Sequence, residues 1–419
     1  MKKYVLDNGL TVILQPIETV VSISAGLWVK TGSRCEKPDQ YGYAHFVEHM
    51  LFKGTEKYSA KDIAQMIDRV GGQHNAATNR EYTCYYINVV SDYLRLSLEI
   101  LSDMHLNSRF DAEDIEKERD VIIEELRMYE DSPDEHIHDV FMEIMFGEHP
   151  LAHEIIGTEK TLKAVTREKL VQFYKEQYIF ENTLLVIAGN FKIDEAEKMI
   201  SEFFRGKPGE KVLSKLYMPA QRKNFRQHIN RELEQVHFCL GFDGITKNDE
   251  RRWALYLLSS ILGGSMSSRL FQNIREKEGL CYSVYSFHSS YSDAGLFGIY
   301  CGTSPSKYHF ALDLIIKELQ KLLKNNILPE ELEDAKTFMK GNLALSLESI
   351  EVRASMAARD EINYKKQFTY DDVVKYIEAV KLEDFEELAG TLFKDKRASL
   401  VSIGKLKKSK KDNNIIISI

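Results

Sequence analysis

The chain lacks long apolar runs and has few prolines and cysteines. No stretch of about 18 apolar residues occurs, so no membrane span is predicted. Only 8 of the 419 residues are proline, so long disordered linkers are not expected. The five cysteines are scattered and form no CxxC pair, which favours reduced thiols and a cytoplasmic location over a disulfide framework. No apolar segment typical of a secretory signal follows Met1-Lys2-Lys3.

An excess of positive charge is also absent. The formal net charge is −8, so counterion release would not favour binding to a polyphosphate, and nucleic acid is not an expected partner. The phosphate-binding pattern GxxxxGK[ST] does not occur, which argues against nucleotide binding. Hydrophobic residues make up 43% of the chain, enough for more than one core, and the length predicts two or three domains.

The order of predicted elements repeats about halfway along the chain. In the first half, apolar spacing and turn residues predict strands before and after Asp7-Asn8-Gly9 and at 20–29 and 81–90, and helices at 40–52, 60–70, 94–104 and 111–128. In the second half they predict strands at 236–242, 282–290 and 295–302, and helices at 250–262, 310–323 and 329–347. Segment 113–119 aligns with segment 330–336. A repeat of this length indicates duplication of a whole domain rather than a solenoid.

The predicted fold class is therefore α+β, with two homologous domains. Each domain should contain a mixed, mostly antiparallel sheet with helices packed on it. We predict domains at 1–205 and 221–419. The intervening segment 206–220 is predicted to be a linker, because it contains Gly206, Pro208 and several lysines and has no clear periodicity.

The pentapeptide HFVEH, residues 45–49, is the most informative motif. On a helix, positions i, i+3 and i+4 share one face, so His45 and His49 could bind one metal ion with Glu48 beside them. A carboxylate at that position could accept a proton from a water that zinc has acidified. Short motifs of this kind also arise by chance from ordinary surface or packed histidines. The neighbouring apolar residues, however, predict a buried helix, and buried polar groups need compensation that a metal would provide.

Two histidines leave a catalytic zinc site one protein ligand short, because such sites usually have three. The acidic helix that follows contains two candidates, Glu118 and Glu125. They are seven residues apart and therefore face the same way. Glu124 points about 100° away from Glu125.

Four motifs resemble those of the inverzincin peptidases, the group of pitrilysin, insulin-degrading enzyme and the mitochondrial processing peptidase. They are AHFVEHMLFKGT (44–55), GGQHNAATNREYTCYY (71–86), ERDVIIEE (118–125) and GGSMSSRLFQNIREKEGLCYSVYS (263–286). They occur in the family's order and extend over nearly the whole chain. The sequences of these motifs are most similar to those of bacterial relatives of the processing peptidase.

The resemblance implies a set of site residues and a peptidase activity. It implies that His45, His49 and Glu125 bind one zinc ion per chain and that Glu48 is the catalytic base, with Glu118 as a second acidic residue that orients a ligand or the base. It also implies that Asn75 and Ala76 belong to an edge strand that holds the main chain of a peptide substrate. Arg275 and Tyr282 would act on the substrate carbonyl, where cationic and phenolic donors can stabilise an oxyanion.

The second half of the chain lacks the metal-binding residues. Position 335 is alanine where the first half has Glu118, and position 342 is asparagine where it has Glu125. Leu255, Leu258 and Ser259 occupy the positions that correspond to His45, Glu48 and His49. This asymmetry predicts a single metal site.

Two further interpretations stay open beside a zinc endopeptidase acting on unfolded peptides. One is a non-catalytic, peptide-binding subunit of a processing-peptidase-like complex, and the weaker one is zinc storage. The resemblance to dimeric bacterial relatives implies a homodimer. Outside the motifs, His136 and His138 do not share a helix face and are expected to be exposed to solvent.

Overall fold

The structure is a computed structural model that describes residues 1–206, 209, 225–325, 327–393, 397–406 and 417–418. Its strands are β1 (Lys2–Val5), β2 (Thr11–Pro16), β3 (Ser22–Val29), β4 (Gln73–Thr78), β5 (Thr83–Val90), β6 (Thr183–Gly189), β7 (Arg226–Asn230), β8 (Val236–Asp243), β9 (Cys281–Ser290), β10 (Gly295–Thr303), β11 (Arg397–Gly404) and β12 (Ile417–Ser418).

The α-helices are α1 (Tyr43–Leu51), α2 (Ala60–Asp68), α3 (Leu94–Asn107), α4 (Ala112–Asp131), α5 (Pro133–Phe146), α6 (Glu159–Lys163), α7 (Arg167–Gln177), α8 (Ile193–Phe203), α9 (Arg252–Gly263), α10 (Tyr308–Asn325), α11 (Pro329–Ser346), α12 (Ile350–Tyr364), α13 (Tyr370–Ala379) and α14 (Leu382–Leu392). A π-helical segment spans Phe271–Lys277.

The described residues form two compact units, and neither unit is continuous in sequence. The first contains Met1–Met128, Ser346–Gln367 and the described part of His153–Leu216. The second contains Tyr129–Ala152 and the described parts of Tyr217–Leu345 and Phe368–Ile419. Each half of the sequence thus supplies one helical segment to the unit built mainly by the other half.

The first unit contains a six-stranded sheet in the order β1-β2-β6-β3-β5-β4. Only β2 and β6 pair in parallel, and the other neighbours are antiparallel. One face of the sheet packs with residues of α1, α2, α3, α4, α7 and α8 in the larger core of this unit. The other face packs against α12, whose Ala354, Ala357 and Ala358 lie in one cluster with Trp28 and Val186.

The second unit repeats this topology. Its sheet has the order β12-β11-β8-β10-β9, and β7 pairs with β11 in parallel as β2 does with β6. One face packs with α9, α10, α13 and α14, and the other packs against α5. Gly241 on β8 makes this possible, because a Cβ atom there would come within 1.9 Å of the Phe141 ring on α5.

The prediction of an α+β fold with two homologous, mostly antiparallel sheets is confirmed. The compact units do not coincide with the continuous segments 1–205 and 221–419, because the apolar faces of α5 and α12 each pack on the sheet of the other sequence half. Those domain boundaries stay a prediction about the sequence. Apart from 206 and 209, the predicted linker 206–220 lies outside the described residues.

Several element boundaries differ from the prediction for identifiable reasons. The first helix was expected from residue 40 but begins at Tyr43, because Gly42 has a φ of 95°, which lies outside the right-handed helical region. The central strands β6 and β11 were not predicted. β6 is buried along its whole length, so it has no alternation of apolar and polar residues to reveal it.

Among the described residues, no helix combines the length and the apolar character that a membrane crossing requires.

Candidate metal centre

Helix α1 presents His45, Glu48 and His49 on one face. The opposite face of α1 is buried in the larger core of the first unit. It contains Phe46, Val47, Met50 and Leu51, each at most 1% exposed. The two imidazoles and the carboxylate are only partly buried. Burial of the apolar face therefore fixes the direction in which the three polar side chains point.

The start of α1 is capped by a distant side chain, Glu36. The N-cap residue Gly42 has no side chain to accept a hydrogen bond. The Glu36 carboxylate accepts instead from the backbone N–H of Gly42 at 2.9 Å and of Ala44 at 2.7 Å. The side chain is fully buried, and burial raises its pKa. Ala44 directly precedes His45, so this contact positions the first histidine.

His45, His49 and Glu125 converge on one point. The Glu125 Oε2 atom lies 3.9 Å from His45 Nε2 and 3.6 Å from His49 Nε2. One potential ligand atom from each residue lies within 4.8 Å of the other two, and among the described residues no other group of three His, Cys, Asp or Glu side chains does so. Since zinc ligands lie about 2.0–2.1 Å from the metal, two ligand atoms of a tetrahedral site are about 3.4 Å apart. The observed spacing fits such a site.

The surroundings shift the pKa values of the two imidazoles in opposite directions. Burial and the nearby His49 lower the pKa of His45 to about 4. Burial alone would also lower the pKa of His49, but hydrogen bonds to Glu118 and Glu125 outweigh it and raise that pKa to about 9. One imidazole is thus neutral and the other carries a proton that zinc could replace. Two imidazoles and one carboxylate also leave one zinc coordination position open for water.

Glu118 contacts the opposite side of the His49 ring. Its Oε2 atom lies 3.0 Å from His49 Nδ1, and its Oε1 atom forms an ion pair with Lys53. Although burial alone would raise the pKa of Glu118, hydrogen bonds from His49 and Lys53 lower it. The geometry therefore distinguishes the two candidate metal ligands on α4: Glu125 faces the Nε2 atoms of both histidines, whereas Glu118 faces only the Nδ1 atom of His49.

The remaining carboxylate on α1, Glu48, is held by strand β4. The Thr78 hydroxyl donates a hydrogen bond to Glu48 Oε2. Burial raises the pKa of Glu48, and the Thr78 contact partly opposes that shift. A carboxylate with a raised pKa is better able to accept a proton from water.

Asn75 and Ala76 lie in the middle of β4, which ends the first sheet among the described strands. Their cross-strand partners on β5 are Tyr86 and Tyr85. Asn75 is exposed and Ala76 is partly buried, as expected for neighbours that point to opposite faces. An outermost strand offers backbone N–H and C=O groups to which an extended peptide can bind.

Arg275 and Tyr282 contact each other within the second unit. The Arg275 guanidinium lies 5.1 Å from the centre of the Tyr282 ring and 4.6 Å from that of Phe271. Tyr282, near the start of β9, is 79% exposed. Both side chains thus combine a hydrogen-bond donor with an aromatic contact.

Glu36, Lys53 and Thr78 were not predicted as parts of the site. Glu36 reaches α1 from outside the helix, and nothing in the local pattern signals this. Thr78 could have been predicted, because it lies two residues after Ala76 and therefore on the same face of a strand already assigned to the site. The expectation that His136 and His138 are exposed to solvent was wrong: both are partly buried, and the His138 Nε2 atom lies 2.8 Å from the Tyr285 hydroxyl.

Comparisons with known proteins place this chain in a family. Residues 11–159 match the family model described as Insulinase (Peptidase family M16), and residues 164–339 match that of the Peptidase M16 inactive domain. An uncharacterized zinc protease of Bacillus subtilis, YmxG, is 40% identical over 403 residues, which cover 96% of this chain and 98% of that protein.

Two solved structures share the fold. A protease from Helicobacter pylori has a TM-score of 0.91 and 24% identity, over 96% of this chain and 99% of that one. A protein from Pseudomonas fluorescens, described as a peptidase M16 inactive domain, has a TM-score of 0.88 and 21% identity, over 98% of both chains. From its sequence motifs, its fold and these matches, the chain belongs to peptidase family M16, the insulinase family.

Proposed function

We propose that this protein is a zinc metalloendopeptidase that hydrolyses peptide bonds in unfolded peptides or short polypeptides. The observation that carries the proposal is the convergence of His45, His49 and Glu125, with Glu48 on the same helix face as the two histidines. We assign one zinc ion per chain to those three ligands. When bound, zinc supplies Lewis acidity, which acidifies water and polarises a carbonyl group.

The chain's own residues would perform the other steps. An extended peptide would hydrogen-bond to the backbone of β4 near Asn75 and Ala76. Glu48 would take a proton from the attacking water and return it to the leaving amine. Arg275 and Tyr282 would donate hydrogen bonds to the oxygen on which negative charge develops.

The test is Glu48→Gln, measured for bound zinc and for cleavage of a mixed peptide library. The variant should retain zinc, because Glu48 is not among the three ligands, and should lose about 10²- to 10⁴-fold in turnover, the usual contribution of a general base. Glu124→Gln is the matched control, since Glu124 is an exposed glutamate paired with Arg127. Unchanged turnover in Glu48→Gln would refute the assignment of the base.

The second candidate function is a non-catalytic, peptide-binding subunit. It is favoured by one observation: the Pseudomonas fluorescens structure with the same fold is described as an inactive domain. A purified chain that binds zinc but cleaves no peptide until a second protein is added would support this function. Cleavage by the chain alone would exclude it.

We further propose a homodimer in the cytoplasm. No disulfide links the five cysteines, and three of them are buried, which fits a reducing compartment. Sedimentation of the purified protein tests the oligomeric state, and fractionation of the source cells tests the location. A monomer or a secreted protein would contradict the respective proposal.

A further inference from the structure

Thr78 connects the proposed base to the strand proposed to bind substrate. It is the last residue of β4, and its hydroxyl donates to Glu48 Oε2 on α1. Its side chain lies on the same face of β4 as that of Ala76, because alternate residues of a strand share a face. One residue therefore links the orientation of Glu48 to the position of β4.

The hydroxyl protons nearby can be assigned by counting donors. Thr83 lies opposite Thr78 on β5, and its Oγ1 atom is 2.9 Å from the Thr31 carbonyl oxygen but 3.5 Å from Thr78 Oγ1. A threonine hydroxyl has a single proton. The shorter contact to Thr31 uses the Thr83 proton, and Thr78 then donates its own proton to Glu48.

Thr78 contacts the Glu48 carboxylate twice: its hydroxyl donates to Oε2, and its backbone N–H also donates to the carboxylate. We propose that Thr78 is a positioning residue for the peptidase reaction: it holds the Glu48 carboxylate in the orientation in which Glu48 accepts the proton of the attacking water. The inference rests on the proposed function. Loss of the Thr78 hydroxyl would leave the carboxylate less firmly oriented, with only the backbone N–H of Thr78 to hold it, and would remove neither a metal ligand nor the β4 backbone.

The test compares Thr78→Val, which has nearly the same shape but no hydroxyl, with Thr78→Ser, which retains the hydroxyl. Thr183→Val is the matched control: Thr183 is fully buried on β6, and its hydroxyl donates to the Ile179 carbonyl at 2.8 Å, outside the site. Each variant is assayed for zinc content, kcat and KM on the peptide library. Glu48→Gln is included as the reference for loss of the base.

Thr78→Val should lower kcat roughly 10- to 100-fold, the range expected when a catalytic group is misplaced. Its zinc content and KM should stay near the wild-type values, and Thr78→Ser should recover most of kcat. Wild-type kcat in Thr78→Val would overturn the proposal, as would equal losses in Thr78→Val, Thr78→Ser and Thr183→Val, which would indicate only a structural role.

Two further outcomes are also informative. If Thr78→Val does not fold, Thr78→Ala and Thr78→Ser provide the same comparison, because both lack the methyl group and differ in the hydroxyl. Equal kcat in that pair would overturn the proposal. Failure of the proposed function has a different signature, since the wild-type protein and Glu48→Gln would then show the same turnover.

Discussion

Removal of the Glu118 carboxylate should weaken zinc binding while leaving the three proposed ligands in place. In Glu118→Ala, His49 Nδ1 loses a hydrogen-bond acceptor at 3.0 Å, and Lys53 loses its ion-pair partner. A zinc-binding histidine is normally oriented by a partner on its other ring nitrogen. Without that partner the His49 ring can rotate, and its Nε2 atom is less well presented to the metal.

The magnitude follows from the burial of the contact. The Glu118 side chain is 8% exposed and that of His49 is 21% exposed, so solvent screens their interaction only weakly. A hydrogen bond to a charged group contributes about 1.5–3 kcal/mol. That corresponds to a factor of about 10 to 150 in the dissociation constant for zinc. Glu118→Gln retains one carbonyl oxygen as an acceptor, so its loss should be smaller.

The assay is a titration of the metal-free protein with zinc in competition with a chromophoric chelator. Glu124→Gln serves again as the control, because Glu124 lies on the same helix as Glu118 but is exposed and paired with Arg127. Far-ultraviolet circular dichroism verifies that α4 stays folded. An unchanged zinc affinity in Glu118→Ala would refute the orienting role of Glu118 at the proposed site.

Three other predictions concern pH, packing and metal linkage. Burial lowers the pKa of His105 from 6.5 to about 4. The stability that depends on the neutral, buried ring is therefore complete above pH 6.5 and is lost as the pH falls towards 4. Between pH 8 and pH 5 the wild type should lose about 2 kcal/mol of unfolding free energy that His105→Phe does not lose. Urea unfolding at both pH values measures this, and parallel losses would contradict it. Ala357→Leu should lower the free energy of unfolding by about 1–3 kcal/mol, because Ala357 is 3% exposed in the cluster that contains Trp28; an unchanged urea midpoint would count against that packing. Zinc at about 100 times its dissociation constant should stabilise the wild type by about 2.7 kcal/mol. Thermal unfolding should show no such gain in His45→Ala, and an equal gain would place the metal elsewhere.

Local patterns were enough to predict the elements that carry most of the site. The Asp7-Asn8-Gly9 turn predicted the hairpin that joins β1 and β2, which pair antiparallel as expected. The spacing of His45, Glu48 and His49 predicted a shared helix face, because it depends only on the 3.6-residue period. The repeat predicted two related sheets, since similar patterns of strands and helices tend to give similar topologies.

Helix periodicity by itself could not decide which glutamate meets the histidines, and only the resemblance to the inverzincin peptidases implied Glu125. Glu118 and Glu125 share a face of α4, but seven residues separate them by about 10 Å along the helix axis. Which of the two lies beside the Nε2 atoms depends on how far α4 is displaced along α1. That displacement results from core packing, and no local pattern encodes it.

The identity of the motif, the duplicated fold class and the candidate ligands were thus determined by the sequence itself, because each depends on short-range periodicity or on residue chemistry. Tertiary structure alone decided that α5 and α12 each join the unit built mainly by the other half of the sequence, since the apolar face of a helix does not specify which sheet it covers. It also decided that Glu36 caps α1 and that Thr78 holds Glu48. Both contacts join residues from separate elements, and only the packed chain brings their atoms within hydrogen-bond distance.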